Sequence, residues 1–362
     1  MVKRFFRHRI VHTHWPLAAV LLLGFGVGWV AHSSAFFGDT QVYRGTILRD
    51  DDNEYPLVSP LLSCDVGPED AFPEFEPIKN SLISLIAEQK HSGATTDTSV
   101  YVRSLKTGRW FEINGSQTYA PASMLKVFVM MAYYQEAQDN PAVLGRQLAF
   151  EVSVHSLEDT PGAVIPHLVA GNYYSVSKLI RQMIVYSDND ALNTLVDNFD
   201  AQTLAAFNGI FVDLNIPSPA AQTEHSLDFM SVSEYSMIYR VLFGATYLSA
   251  AASNDALRLL SEAQYQEGIV AGVPQGTTVA HKFGVRHVPT SPAMASAELH
   301  DCGIVYYPNH PYLLCVMTRG KDFGHLQQAL QDISHIAYLG LDAFYKNLPS
   351  SKATPTIPTK AQ

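Results

Sequence analysis

The chain has 362 residues, 47% hydrophobic and 16% charged, which supplies core for one large or two modest domains and excludes a wholly disordered chain. Lys and Arg number 24 against 34 Asp and Glu, a formal net charge of −10, and a surface that negative repels phosphate backbones, so no nucleic-acid partner is expected. Three cysteines are too few for a disulfide scaffold and no Cys/His cluster has zinc-ligand spacing, so neither a metal nor another cofactor is expected.

Lys3, Arg4, Arg7 and Arg9 form a basic head, and Leu17 to Ala31 carries no charge between Trp15 and Trp29. A helix over residues 15–37 would run about 35 Å, enough to cross a bilayer. The acidic run Asp50, Asp51, Asp52 and Glu54 downstream places the amino terminus inside and the body outside the cytoplasm. Residues 1–37 therefore read as a single-pass membrane anchor. A cleaved signal peptide is the alternative, with Ser33-Ser34-Ala35 as small residues at the cleavage position, and the body would then be secreted. Residues 38–74 mix Pro, Asp and short apolar patches and read as a linker with little regular structure. Residues 348–362, rich in Pro, Ser, Thr and Lys, read as a disordered tail. One domain, 75–347, remains, without internal repeats.

In that domain Ile78 to Gln89 has apolar residues at helical spacing. Ser99 to Leu105 and Trp110 to Ile113 are strand-like and joined by Lys106-Thr107-Gly108-Arg109, a hairpin signal. A helix opening near Ser123 is apolar nearly all round, which marks it as buried. From Val176 to Leu248 the pattern is mostly helical, interrupted at 217–228. Strands return at 277–282, 298–307 and 312–318, and a last helix covers 326–345. Strands at both ends with helices between them predict an α+β fold, an antiparallel sheet flanked by helices with an inserted all-helical subdomain.

Ser-x-x-Lys occurs twice, at Ser123–Lys126 and Ser175–Lys178, and two fixed positions are expected about once by chance in a chain this long. Context separates them. Ser123 opens the buried helix, with Lys126 one turn on along the same face. Ser175 begins a surface-patterned helix and reads as its N-cap. Ser187-Asp188-Asn189 follows an apolar run, and Lys282-Phe283-Gly284 sits on a strand ahead of the hairpin bearing Cys302 and Cys315.

In order, spacing and setting, these elements resemble the active-site set of class A β-lactamases and penicillin-binding proteins. The resemblance runs from about Phe75 to Tyr345. Further support comes from Gly272-Val273-Pro274, His300-Asp301-Cys302-Gly303-Ile304-Val305 and Val316-Met317-Thr318. It implies a β-lactamase/transpeptidase fold and an acyl-enzyme on Ser123. Lys126 would act as base, Ser187 as proton relay to the leaving nitrogen, and Asn189 as a hold on Lys126 and the substrate's amide. Lys282 would attract the substrate's carboxylate, and the N–H groups of Ser123 and Val285, beside Gly284, would form the oxyanion hole. The second Lys-Thr-Gly, Lys106 to Gly108, lies in a hairpin turn ahead of Ser123 and is set aside as a decoy.

Two departures matter. Phe283 stands where the family has Thr or Ser, removing a hydroxyl that helps bind the carboxylate, and Arg286 or His287 is the candidate replacement. The deacylating Glu of an E-x-x-L-N run has its nearest match in Glu224-His225-Ser226-Leu227-Asp228, with Asp228 standing for Asn. A solvent-facing Glu224 would leave a slowly released acyl-enzyme instead. Three readings follow: hydrolysis of β-lactams, D-alanyl-D-alanine carboxypeptidase or transpeptidase action on peptidoglycan, or non-hydrolytic binding of a cell-wall peptide or β-lactam. Asp188 reads as loop support. Cys302 and Cys315 lie on facing strands, but the short turn sets Cys302 nearer Met317, so core packing is expected in place of a bridge.

Overall fold

The computed structural model describes residues 47–49, 54–64, 72–151, 167–219, 227–288 and 296–347. The anchor expected at 15–37, Glu224 and the tail at 348–362 lie outside these residues. No helix among those described is long and apolar enough to cross a membrane.

In chain order the elements are β1 (Ile47–Arg49), β2 (Leu61–Cys64), α1 (Glu76–His91), β3 (Asp97–Ser104), β4 (Trp110–Ile113) and α2 (Lys126–Asp139). There follow β5 (Gln147–Ala149), β6 (Tyr173–Ser175), α3 (Val176–Val185), α4 (Asn189–Asp197), α5 (Ala201–Asp213), α6 (Val232–Phe243) and α7 (Ala250–Ser261). The chain closes with β7 (Val279–Val288), β8 (Ser296–Val305), β9 (Tyr312–Gly320) and α8 (Phe323–Lys346). The main sheet has the order β4-β3-β9-β8-β7 and is antiparallel throughout, as expected from the strand pattern.

Helices cover both faces of this sheet. On the rear, α1 and α8 present stripes such as Leu326, Leu330, Ile333, Ala337 and Leu341, all fully buried and three or four residues apart. On the front, α2 buries every residue from Lys126 to Tyr134, which accounts for its apolar character all round. Strands β8 and β9, walled in on both sides, are buried along nearly their whole length; β9 reads as a near-continuous apolar run, whereas β8 buries Glu298, His300 and Asp301 among its apolar residues.

Two expectations are corrected. Within 38–74, β1 and β2 pair with each other, and the stretch between them docks on the domain: Val58 and Ser59 are buried, and Leu57 bonds both Asn254 and Tyr306. Cys302 lies directly opposite Cys315 in the β8–β9 register, and the two form a disulfide. The ladder ends at Val305 and not at Tyr307, which moves the pairing by two residues. Beyond Val305 the backbone bonds go elsewhere: the Tyr306 N–H donates to Thr278 O, and the Tyr307 and His310 N–H groups donate to Val305 O and Tyr307 O in the turn.

Candidate active site

Ser123 lies in a 3-10 turn, Ala122–Leu125, that leads straight into α2 and points its first residue, Lys126, back along the same face. Ala122 holds a left-handed φ of 49°, a conformation unfavourable for a residue with a Cβ, so the surrounding packing must impose it. That packing is visible: Met124 is fully buried, its carbonyl accepts from the Tyr235 hydroxyl of α6, and Ala120 O accepts from the His300 ring of β8. Burial pushes the His300 pKa down to about 3, so the ring is neutral. Its Nε2–H donates to Ala120 O while Nδ1 accepts from the Thr318 N–H, which fixes the tautomer.

Strand β7 approaches this turn closely because Gly284 has no side chain. A Cβ there would sit 2.6 Å from Pro121 O and 3.0 Å from the Met124 side chain. Val285, the candidate oxyanion donor, follows on this edge strand. The third wall is the α3–α4 link. Ser187 has φ 58°, and Asp188 caps α4 by accepting from the Asp190 and Ala191 N–H groups while Gln182 donates to its other oxygen. Asp188 is thus held in the loop, the role expected for it.

The side chains converge on Lys126, which is 1% exposed. Its Nζ lies 2.7 Å from Asn189 Oδ1, 3.2 Å from Ser187 Oγ and 3.2 Å from Ser123 Oγ, and it also donates to the Ser187 carbonyl. Two of these partners, the carbonyl and Oδ1, can only accept. They use the two N–H bonds of a neutral amine and leave its one lone pair for a single hydroxyl at a time, that of Ser123 or that of Ser187. Burial brings the Lys126 pKa down from 10.5 to about 7, with Asp188 pulling the other way, so the neutral form is accessible near neutral pH.

Lys282 is fully buried, and its Nζ reaches the same Ser187 Oγ at 2.9 Å and Phe283 O at 2.8 Å. Burial first, and then the charge of Lys126, push its pKa well below the ordinary lysine value, while Asp301 opposes them. The Phe283 ring is buried among the rear-layer residues, stacked on Tyr265 at 4.1 Å, with Lys282 Nζ 4.0 Å from its centroid.

Arg286 does not stand beside Lys282 as a free cation. Its guanidinium lies 2.9 Å from Asp228 and 3.5 Å from the buried Glu298, and Arg319 joins the same network through Asp228, Glu298 and Asp97. His287 is exposed and packs edge-on against Phe323. Sequence reasoning missed the Glu298–Arg319 pair and the part played by His300. Both sit in strands whose register could not be read in advance. Ser175 accepts from the Lys178 N–H, the N-cap expected of it, and Lys178 Nζ lies over the Tyr174 ring. Among the described residues no group of His, Cys, Asp and Glu could hold a metal ion.

Comparison with known proteins agrees with this architecture. No curated protein matches the chain. Among solved structures, a PBP-A mutant captured as an acyl-enzyme with penicillin G is 18% identical, with a TM-score of 0.59 over 77% of this chain and 100% of that one. A β-lactamase from Sphaerobacter thermophilus is 20% identical, with a TM-score of 0.58 over 75% of this chain and 98% of that one. A β-lactamase from Xanthomonas campestris is 17% identical, with a TM-score of 0.58 over 73% and 98%. At these identities the likeness establishes the β-lactamase fold. Residues 78–341 also match the profile of the beta-lactamase enzyme family, a span that takes in Ser123, Lys126, Ser187, Asn189 and Lys282. The chain belongs to the beta-lactamase enzyme family.

Proposed function

We propose that this protein is a serine hydrolase of the class A β-lactamase type, which opens the β-lactam amide through an acyl-enzyme on Ser123. The observation that carries the reading is the Lys126 amine, buried, close to neutrality and 3.2 Å from the Ser123 hydroxyl. In the proposed step Lys126 takes the Ser123 proton as Oγ attacks the lactam carbonyl carbon. The C–N bond then breaks, and the nitrogen receives a proton from the Ser187 hydroxyl, which regains one from Lys126. The N–H groups of Ser123 and Val285 receive the oxyanion. Lys282 attracts the substrate's carboxylate, and Asn189 holds Lys126 and the substrate's side-chain amide. Water then cleaves the ester, with Glu224 as candidate base.

A second reading is favoured by one feature. Asp228, where the family has Asn, is bound to Arg286 and Arg319, so it is committed to an ion-pair network at the end of the Glu224 segment. If Glu224 is not positioned, the acyl-enzyme persists, and the same chemistry suits a penicillin-binding enzyme acting on D-alanyl-D-alanine peptides. We further propose that residues 15–37 tether the protein to the membrane with the catalytic domain outside the cytoplasm. The Cys302–Cys315 disulfide supports an oxidising compartment.

Intact-mass spectrometry of the full chain with penicillin, followed over time beside Ser123→Ala, tests the reading. A Ser123-dependent adduct that forms and clears as penicillin is consumed is the expected result. A persistent adduct selects the peptide-processing alternative, and absence of any adduct leaves a non-hydrolytic binding domain.

A further inference from the structure

The two buried amines of the site lie on one hydroxyl, Ser187 Oγ, and neither has a carboxylate in ion-pair contact among the described residues. The elements packed around them bring Asp188 from the α3–α4 link, Tyr235 and Tyr239 from α6, His300 and Asp301 from β8, and His281 from β7 itself. The two phenols are pushed by burial well above their ordinary value and are neutral, as is His300. Asp188 acts on Lys126. The carboxylate acting on Lys282 is Asp301.

Asp301 is fully buried and sits in β8 opposite Phe283, one residue from Cys302, the register partner of Lys282. Successive strand residues face opposite sides, so Asp301 occupies the rear of the strand pair whose front carries Lys282. Both of its oxygens are engaged there. Oδ1 lies 2.8 Å from His281 Nδ1, the residue before Lys282, and Oδ2 accepts from the Ile269 N–H at 3.0 Å. The recess is fitted to the carboxylate, since a Cβ on Gly268 would lie 2.1 Å from Oδ2. An apolar side chain would fill this layer at lower desolvation cost, so a charge at this place calls for a reason.

We propose that Asp301, oriented by His281, is a positioning residue that keeps Lys282 cationic and thereby sets the affinity of the site for a substrate carboxylate. The inference rests on the reading of Lys282 given under the proposed function. A carboxylate in contact with Lys282 would occupy its N–H donors and compete with the substrate. A carboxylate behind the strand supplies the field and takes none of the donors, leaving for an anion the N–H that Ser187 Oγ and Phe283 O do not use, which suits a site that must attract an anion and then release it.

The test compares wild type with Asp301→Asn, which keeps size and an acceptor for the Ile269 N–H. Acylation of Ser123 is followed from pH 6 to pH 10 with penicillin G and with its methyl ester, which has no carboxylate. The expected result is a loss of about tenfold in kcat/KM for penicillin, with the alkaline rise in KM moved down by about one pH unit, and a change below about twofold for the ester. Equal losses on both substrates, or an unmoved alkaline limb, would make Asp301 a structural peg and overturn the proposal. Should Asp301→Asn fail to fold, His281→Asn carries the test, with a smaller shift in the same direction expected and no shift overturning it. A reading independent of turnover comes from the NMR titration of ε-¹³C-labelled lysine in the Ser123→Ala protein, with Lys282 assigned through Lys282→Arg. A Lys282 midpoint unchanged by Asp301→Asn rejects the role of Asp301. A wild type that never forms the Ser123 adduct rejects the catalytic reading instead.

Discussion

Strand β7 carries two basic residues four positions apart that meet opposite fates. Lys282 is fully buried, bonded to a hydroxyl and a carbonyl, and has no carboxylate in ion-pair contact among the described residues. Arg286 lies between Asp228 and Glu298 in a network that Arg319 and Asp97 complete. On α2, Lys126 repeats the first pattern. A paired cation is spent on structure. One buried without a counter-ion in contact costs stability that hydrophobic packing must offset, and its charge or its lone pair stays available to a substrate.

The sharpest test of that contrast is Lys126. Replacing it by Ala is expected to slow Ser123 acylation by about 10²–10⁴-fold, measured by rapid-mixing mass spectrometry. In wild type, acylation should climb as pH rises through about 7, because below that value the amine holds a proton and cannot accept another. Stability should follow the same group. Its folded pKa of about 7 lies below the ordinary 10.5, so between these values the unfolded chain binds more protons and the fold gains stability as pH rises. Lys126→Met should be more stable than wild type below pH 7 and should lose this part of the pH dependence in urea melts. A variant that acylates at the wild-type rate would remove Lys126 from the mechanism.

The paired network should behave in the opposite sense. Glu298 is buried and accepts from Arg319 Nε at 2.9 Å and from an Nη at 2.6 Å, so Glu298→Ala leaves two guanidiniums without it. The expected cost is about 3 kcal/mol, seen as a lower urea midpoint at unchanged slope, with acylation by the folded protein within about threefold of wild type. Loss of acylation at unchanged stability would break the contrast and place this network in the chemistry.

Much of this division was legible in the sequence, for physical reasons that differ by residue. A lysine opening a helix that is apolar over its next eight residues, three residues from a serine, is not explained by packing, and Ser187 and Asn189 gain meaning from their order along the chain. The two Ser-x-x-Lys copies separate on the same ground. Ser175 caps a helix whose Lys178 lies over a tyrosine ring, whereas Lys126 is buried. What stayed hidden depends on pairing between distant segments. The Cys302–Cys315 bridge needs the β8–β9 ladder to end at Val305, where the Tyr306 N–H turns to Thr278 O of a distant segment and the Tyr307 and His310 N–H groups close the turn. Whether Arg286 is free or paired depends on Asp228 and Glu298, one from the chain ahead of α6 and one from β8. No local pattern announces that meeting.

Arg286 therefore supplies the smallest and most discriminating effect. As a replacement for the hydroxyl that Phe283 lacks, it would contact the substrate's carboxylate, and Arg286→Ala would raise KM for penicillin as strongly as Lys282→Ala. As a member of the network it is partly solvent-exposed, as is Asp228, and such a pair contributes only about 0.5–1 kcal/mol. The structure favours the second role, because the ion pair with Asp228 at 2.9 Å already engages the guanidinium. Arg286→Ala should then leave KM for penicillin within about twofold of wild type, lower the thermal midpoint by only a few degrees, and lose most of that difference in high salt. Lys282→Ala, measured beside it, should raise KM about tenfold or more, since it removes the amine proposed to face the anion. A parallel rise in the two variants would return Arg286 to the substrate and leave Lys282 as one of two cations sharing the carboxylate.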